Sequence, residues 1–185
     1  MNSMVKSAIV SLLVALLALA PVQPAYATTL TRRAEGMRKL LPMSEDLLQK
    51  TLAICNKPDV RDFAEAQDCR DTATGLLQHA KKGRAFLQDP TSDSAGVWLQ
   101  EHAEGYQRLQ KNLEALQLRL NPAVDPTLFE HARPRACLRT VAKEVTCADM
   151  LGVATAICSL YLAVSPLAGV ICEVASIYGY IGCIY

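Results

Sequence analysis

The stretch CSLYLAVSPLAGVIC, residues 158–172, sets two cysteines around thirteen uncharged residues, with Pro166 and Gly169 near the middle. Outward from it the cysteines continue. Cys147 lies 11 residues before Cys158, Cys183 lies 11 after Cys172, and 14 separate the inner two, a mirror image about residue 165. Eleven residues make three helical turns of about 3.67 residues each, so cysteines at that interval share one helix face. Proline in mid-helix loses a hydrogen bond and clashes with the preceding turn, so two helices are expected rather than one straight span. A chain folded back at SPLAG (165–169), with Pro166 and Gly169 as its turn, brings Cys147 to Cys183 and Cys158 to Cys172 as two rungs.

The rungs need close packing. Helices of Cα radius about 2.3 Å whose axes pack about 8–10 Å apart put facing Cα atoms roughly 4–5 Å apart, near the distance a disulfide spans. Small residues along the seam (Ala154 and Thr155 on one helix; Ala175, Ser176 and Gly179 on the other) allow that approach. Residues 150–172 are 23 consecutive uncharged positions, and 146–185 carry only Asp149 and Glu173 as charges. Two such helices have more apolar surface than one seam can bury. Leu151, Leu160, Leu162, Ile171, Ile177 and Tyr180 are therefore assigned to a face that meets membrane lipid, a protein partner or the rest of the chain.

Upstream the character changes. Lys6, the apolar run AIVSLLVALLALA and the small residues Ala25 and Ala27 read as a signal peptide over residues 1–27, which implies a secreted or periplasmic protein. Its removal leaves 18 basic and 18 acidic residues, and a formal charge near zero argues against nucleic acid as a partner. Residues 28–120 are polar with helical periodicity. The spacing predicts helices over 30–41, stopped by Pro42; over 45–55, capped by Ser44; over about 61–88; and over about 95–120. The last carries Trp98, His102, Tyr106, Leu109, Leu113, Leu116 and Leu120 on one stripe. Short loops between them predict an antiparallel helical bundle.

Seven cysteines in an exported chain read first as disulfides. Cys55 and Cys69 flank the break NKPDV (56–60) and would staple the helices on either side; Cys137 is left over. Residues 121–136, with three prolines, form a linker in which Arg133 and Arg135 offer a processing site. The expected fold is thus all-α: the N-terminal bundle, the linker, and over 137–185 an apolar, disulfide-stapled helical hairpin.

The inner segment resembles the halocin-type, cysteine-rich archaeal bacteriocins. Cys158, Pro166, Ala168, Gly169 and Cys172 match that family's pattern, and the outer cysteine intervals are longer here. The resemblance implies an exported precursor whose antimicrobial C-terminal peptide is released from an N-terminal portion that gives self-protection.

Motifs for chemistry are few. His79, His102 and His131 are dispersed, no cysteine or histidine pair has zinc spacing, and there is no phosphate loop or nucleophile elbow. His102 falls on the apolar stripe and reads as a core residue. The expectation is a non-enzymatic protein without cofactor or metal, in which the hairpin acts on or inserts into membranes while the polar helices protect or solubilise it. The alternative is a helical binding or scaffold protein with the hairpin buried in its core.

Overall fold

The computed structural model describes residues 25–122 and 147–185, and these are all-helical, with no strand among them. Five α-helices follow in order: α1 (Ala25–Cys55), α2 (Ala64–Gly83), α3 (Asp93–Leu120), α4 (Cys147–Val164) and α5 (Pro166–Ile184), with a 3-10 turn at Arg84–Leu87 after α2. The chain divides after Thr31; the residues before that point belong to a separate unit, which among described residues comprises only the start of α1. The expected cleavage point at Ala27 lies in the first turns of α1. Residues 1–24, Arg133, Arg135 and Cys137 lie outside the described residues.

α1 corrects the reading of two helices separated at Pro42. It is one helix of 31 residues with Pro42 inside it. The row Met37, Leu40, Leu41, Ser44, Leu47, Leu48, Thr51 and Cys55 is buried, at helical spacing on both sides of the proline. Pro42 and Arg38 are both exposed, so the Arg38 carbonyl deprived of its donor faces water. Continuous burial on the opposite face offsets the local cost of about 3 kcal/mol. Ser44 is accordingly no N-cap; it lies fully buried in mid-helix.

α2 buries mostly small residues (Ala66, Cys69, Ala73, Ala80, Gly83) together with Leu76, and that row lets α3 come close. A side chain at Gly105 of α3 would collide with Leu76, and one at Gly83 with the Trp98 indole. α2 is shorter than the expected 61–88 because Val60 and Phe63 close turns of their own before Ala64. Cys55 and Cys69 are joined, with Cα atoms 6.6 Å apart. Arg70 ties the same corner by donating to the carbonyls of Cys55 at 2.7 Å and Arg61 at 3.0 Å. α3 starts where Ser92 accepts from the Ala95 amide at 3.2 Å, and its apolar stripe is buried from Trp98 to Leu116.

The C-terminal helices are joined as the mirror-image spacing requires: Cys147 to Cys183 with Cα atoms 5.9 Å apart, and Cys158 to Cys172 at 5.3 Å. The turn between them is tighter than SPLAG. Ser165 alone is extended (φ −153°, ψ 125°) and caps α5 by accepting from the Ala168 amide, while Pro166 is the first residue of α5. Proline suits that position, since its fixed φ is helical and no amide there needs a partner. Gly169 belongs to α5 rather than to the turn; a Cβ on it would lie 2.9 Å from the Leu162 Cα, so its bareness permits the close crossing. Of the small residues expected along the seam, Ala175 is buried whereas Thr155 is exposed, with its hydroxyl donating to the Leu151 carbonyl at 2.8 Å.

α5 packs on α3 as well as on α4. At its end Arg33 of α1 donates to the Tyr185 carbonyl at 2.9 Å, and Gly36 of α1 leaves space for the Ile184 side chain. Val170, Ile171, Val174, Ile177, Ile181 and Ile184 are all buried, each contributing about 1.5–3 kcal/mol by removal from water. Because Pro42 costs the helix a hydrogen bond without packing against the core, Pro42→Ala should raise stability to urea by about 1–3 kcal/mol. A neutral or destabilising result in equilibrium unfolding would contradict the continuous α1.

Candidate functional site

Two places concentrate chemistry: the outer side of the stapled hairpin, and a chain of polar groups buried where α1, α2 and α3 meet.

On the hairpin the structure redistributes the residues assigned to a membrane or partner face. Leu151, Ile171, Ile177 and Tyr180 are buried, Leu162 is exposed, and the Leu160 side chain lies outside the described residues. The correction has a simple cause. α5 carries one charge, Glu173, and packs on α3 as well as on α4, so its apolar residues are covered from two sides. α4 takes the outer position. Val153, Ile157, Tyr161 and Leu162 expose 62%, 48%, 46% and 37% of their surfaces, and the first three stand at i, i+4 and i+8 on one side of the helix. Glu173, the one charge on α5, is half-buried; desolvation raises its pKa above the usual carboxylate value, while Lys50 of α1 draws it back.

The second place was legible only in part. Its members are Ser44 of α1, His79 of α2, and Glu101, His102 and Tyr106 of α3. Tyr106 Oη lies 2.6 Å from Ser44 Oγ, which lies 3.0 Å from His102 Nε2. His102 Nδ1 is 3.2 Å from His79 Nδ1, and His79 Nε2 is 3.1 Å from Glu101 Oε2. Trp98 stacks on both imidazoles, with centroids 5.3 Å from His79 and 4.7 Å from His102, and its indole N–H donates to the His79 carbonyl at 3.0 Å.

With both imidazoles neutral, chemistry dictates every proton. The Glu101 carboxylate can only accept, so His79 Nε2 carries hydrogen and its Nδ1 is an acceptor. His102 Nδ1 must then donate to it, which leaves His102 Nε2 to accept from the Ser44 hydroxyl. Ser44 in turn accepts from Tyr106. The chain runs in one direction, from the core to the surface, and joins three helices.

His102 is fully buried, and desolvation, aided by the neighbouring His79, pushes its pKa down to about 3. Burial likewise raises the Tyr106 phenol, against the opposing hydrogen bond with Ser44. His102 has zero exposure, in agreement with its place on the apolar stripe, and its partners Ser44 and His79 come from other helices. Ser44 precedes His102 by 58 positions and His79 by 35, and nothing local signals that they meet.

Beside His79 and Glu101 a groove of about 510 Å³ opens between α2 and α3, lined also by Asp71, Thr72, Glu104 and Arg108. Both nitrogens of each imidazole are engaged within the chain, so neither histidine presents a basic nitrogen to that groove. Among the described residues no group of three or more His, Cys, Asp or Glu side chains is placed to hold a metal ion.

The three disulfides fit an oxidising compartment. No family model, curated protein or solved structure matches this chain.

Removing the central hydroxyl leaves the His102 and Tyr106 polar atoms buried without their shared partner. Ser44→Ala should therefore cost about 1–3 kcal/mol in urea unfolding, and a change below a few tenths would show that the chain contributes nothing to stability.

Proposed function

We propose that this is an exported, non-enzymatic protein that acts on membranes through its stapled C-terminal hairpin. In this reading α1, α2 and α3 form an antiparallel bundle with α5 as its fourth member, and they keep the more apolar helix soluble. α4 is the helix that meets lipid. The observation that carries the proposal is the exposed, uncharged row Val153, Ile157 and Tyr161, held rigid by the two disulfide rungs. A soluble helix turns charge towards water; this one turns Val, Ile and Tyr, which suits the interfacial zone of a bilayer. The resemblance of residues 158–172 to halocin-type bacteriocins supports the same reading, as an antimicrobial precursor cut near Arg133 and Arg135.

A second reading has one specific observation in its favour. α5 is apolar and long enough to cross a membrane, yet 56% of it is buried inside the protein, as in the core helix of a soluble binding or scaffold protein. There the exposed row on α4 would receive a protein.

Vesicle flotation separates the two. The full-length, oxidised chain should float with phosphatidylcholine–phosphatidylglycerol vesicles, and Val153→Asp combined with Ile157→Asp and Tyr161→Asp should weaken that binding at least roughly tenfold. Failure of the unmodified protein to float at micromolar concentration would remove the membrane reading and leave the second.

A further inference from the structure

We propose that the chain Glu101–His79–His102–Ser44–Tyr106 is an acid-sensitive latch, which ties α1 to α2 and α3 near neutral pH, opens in mild acid, and thereby uncovers the end of α5. The proposal deepens the membrane reading, because the end of α5 is what the latch would release; its experiment is run without lipid and so is independent of that reading.

The geometry allows one added proton and resists a second. A proton on His79 puts hydrogen on both its nitrogens, so His102 must move its own proton from Nδ1 to Nε2. That N–H then points at Ser44 Oγ and turns the Ser44 hydroxyl towards Tyr106. Tyr106 is left with only the Ser44 carbonyl, at 3.5 Å, the limit of a hydrogen bond. The whole chain reverses and its inner end is weak. A second proton, on His102, would set two N–H groups and two positive charges face to face across 3.2 Å. No acceptor stands between them.

The surroundings do not relieve this. His79 faces Glu101, and its groove also holds Asp71, Glu104 and Arg108. His102 faces His79, Ser44, Tyr106 and the Trp98 ring, with no carboxylate among them. From α1 the nearest charge in sequence is Glu45, held by Arg84 at 2.6 Å. α5 brings Glu173, which lies in the field of Lys50 and Asp46.

The sign follows from burial. His102 titrates near 3 in the folded protein against 6.5 for a free imidazole, so the open form binds the proton more tightly. The stabilising effect is present above pH 6.5 and is lost as pH falls, about tenfold in the equilibrium per unit, until pH nears the folded value. The end of α5 is uncovered by the same event, since Arg33 and Gly36 of α1 meet Tyr185 and Ile184 there, while α3 stays on its other side.

Urea unfolding of the full-length, oxidised chain at pH 7 and pH 5, followed by the fluorescence of Trp98, tests the latch. Between those pH values the unfolding constant of the unmodified protein should rise roughly 25-fold more than that of His102→Gln, which keeps a hydrogen-bonding group but cannot titrate. Equal rises would overturn the proposal. Should the variant not fold, imidazole nitrogen resonances of the unmodified protein decide: His102 neutral in the folded form at pH 5 is expected, and His102 protonated there overturns it. Hydrogen exchange gives the link to α5. Amide protection at the end of α5, residues 181–185, should fall at pH 5 with the disulfides intact; protection kept there while α1 loses its own would refute the coupling.

Discussion

Two covalent rungs hold α4 against α5 across a turn of one extended residue, and most of the C-terminal structure follows from that constraint. Two helices with a single charge each, clipped together, cannot separate to find different partners. They must be accommodated as one object with a wide apolar perimeter. The inner helix packs on α3 as well as on its partner, with its end against Arg33 and Gly36 of α1, and the outer helix is left facing outward. Burial of α5 and exposure of α4 are thus two consequences of one linkage.

Accommodating α5 sets demands on the polar helices. α1 has to run unbroken past Pro42 so that Gly36 and Arg33 at one end and Ser44 to Cys55 at the other face the same interior. α2 and α3 must approach closely, which the bare backbones of Gly83 and Gly105 permit. Polar side chains trapped in that interior need partners, because an unpaired buried group costs about 1–3 kcal/mol. Ser44, His102 and Tyr106 satisfy one another and pass the chain outward through His79 to Glu101. The result is a core that is stable while its imidazoles are neutral and strained when they are charged, so stability and pH response come from the same side chains.

Some of this was legible residue by residue. The intervals of 11 around Cys158 and Cys172 could be read because a helix returns to the same face after that many residues. The stripe from Trp98 to Leu116 could be read for the same reason. Pro42 misled because a proline's effect depends on whether its turn faces water or core, which the local pattern does not state. Ser44 misled because serine before a pair of acids resembles a cap, and only the arrival of His102 and Tyr106 gives its hydroxyl a different use. By its composition the stretch 165–169 suggests a five-residue turn, yet one extended residue suffices because Pro166 can begin a helix.

From its sequence alone the chain is committed to helices and to its cysteine intervals, because both rest on periodicities that act within a few turns. Which apolar face would be covered was decided only in three dimensions. α4 and α5 are about equally free of charge, and their local patterns do not rank them; the ranking came from which of them packs on α3. The histidine chain belongs to the same class of outcome. Its members come from three helices, and the proton order that joins them exists only when those helices are packed.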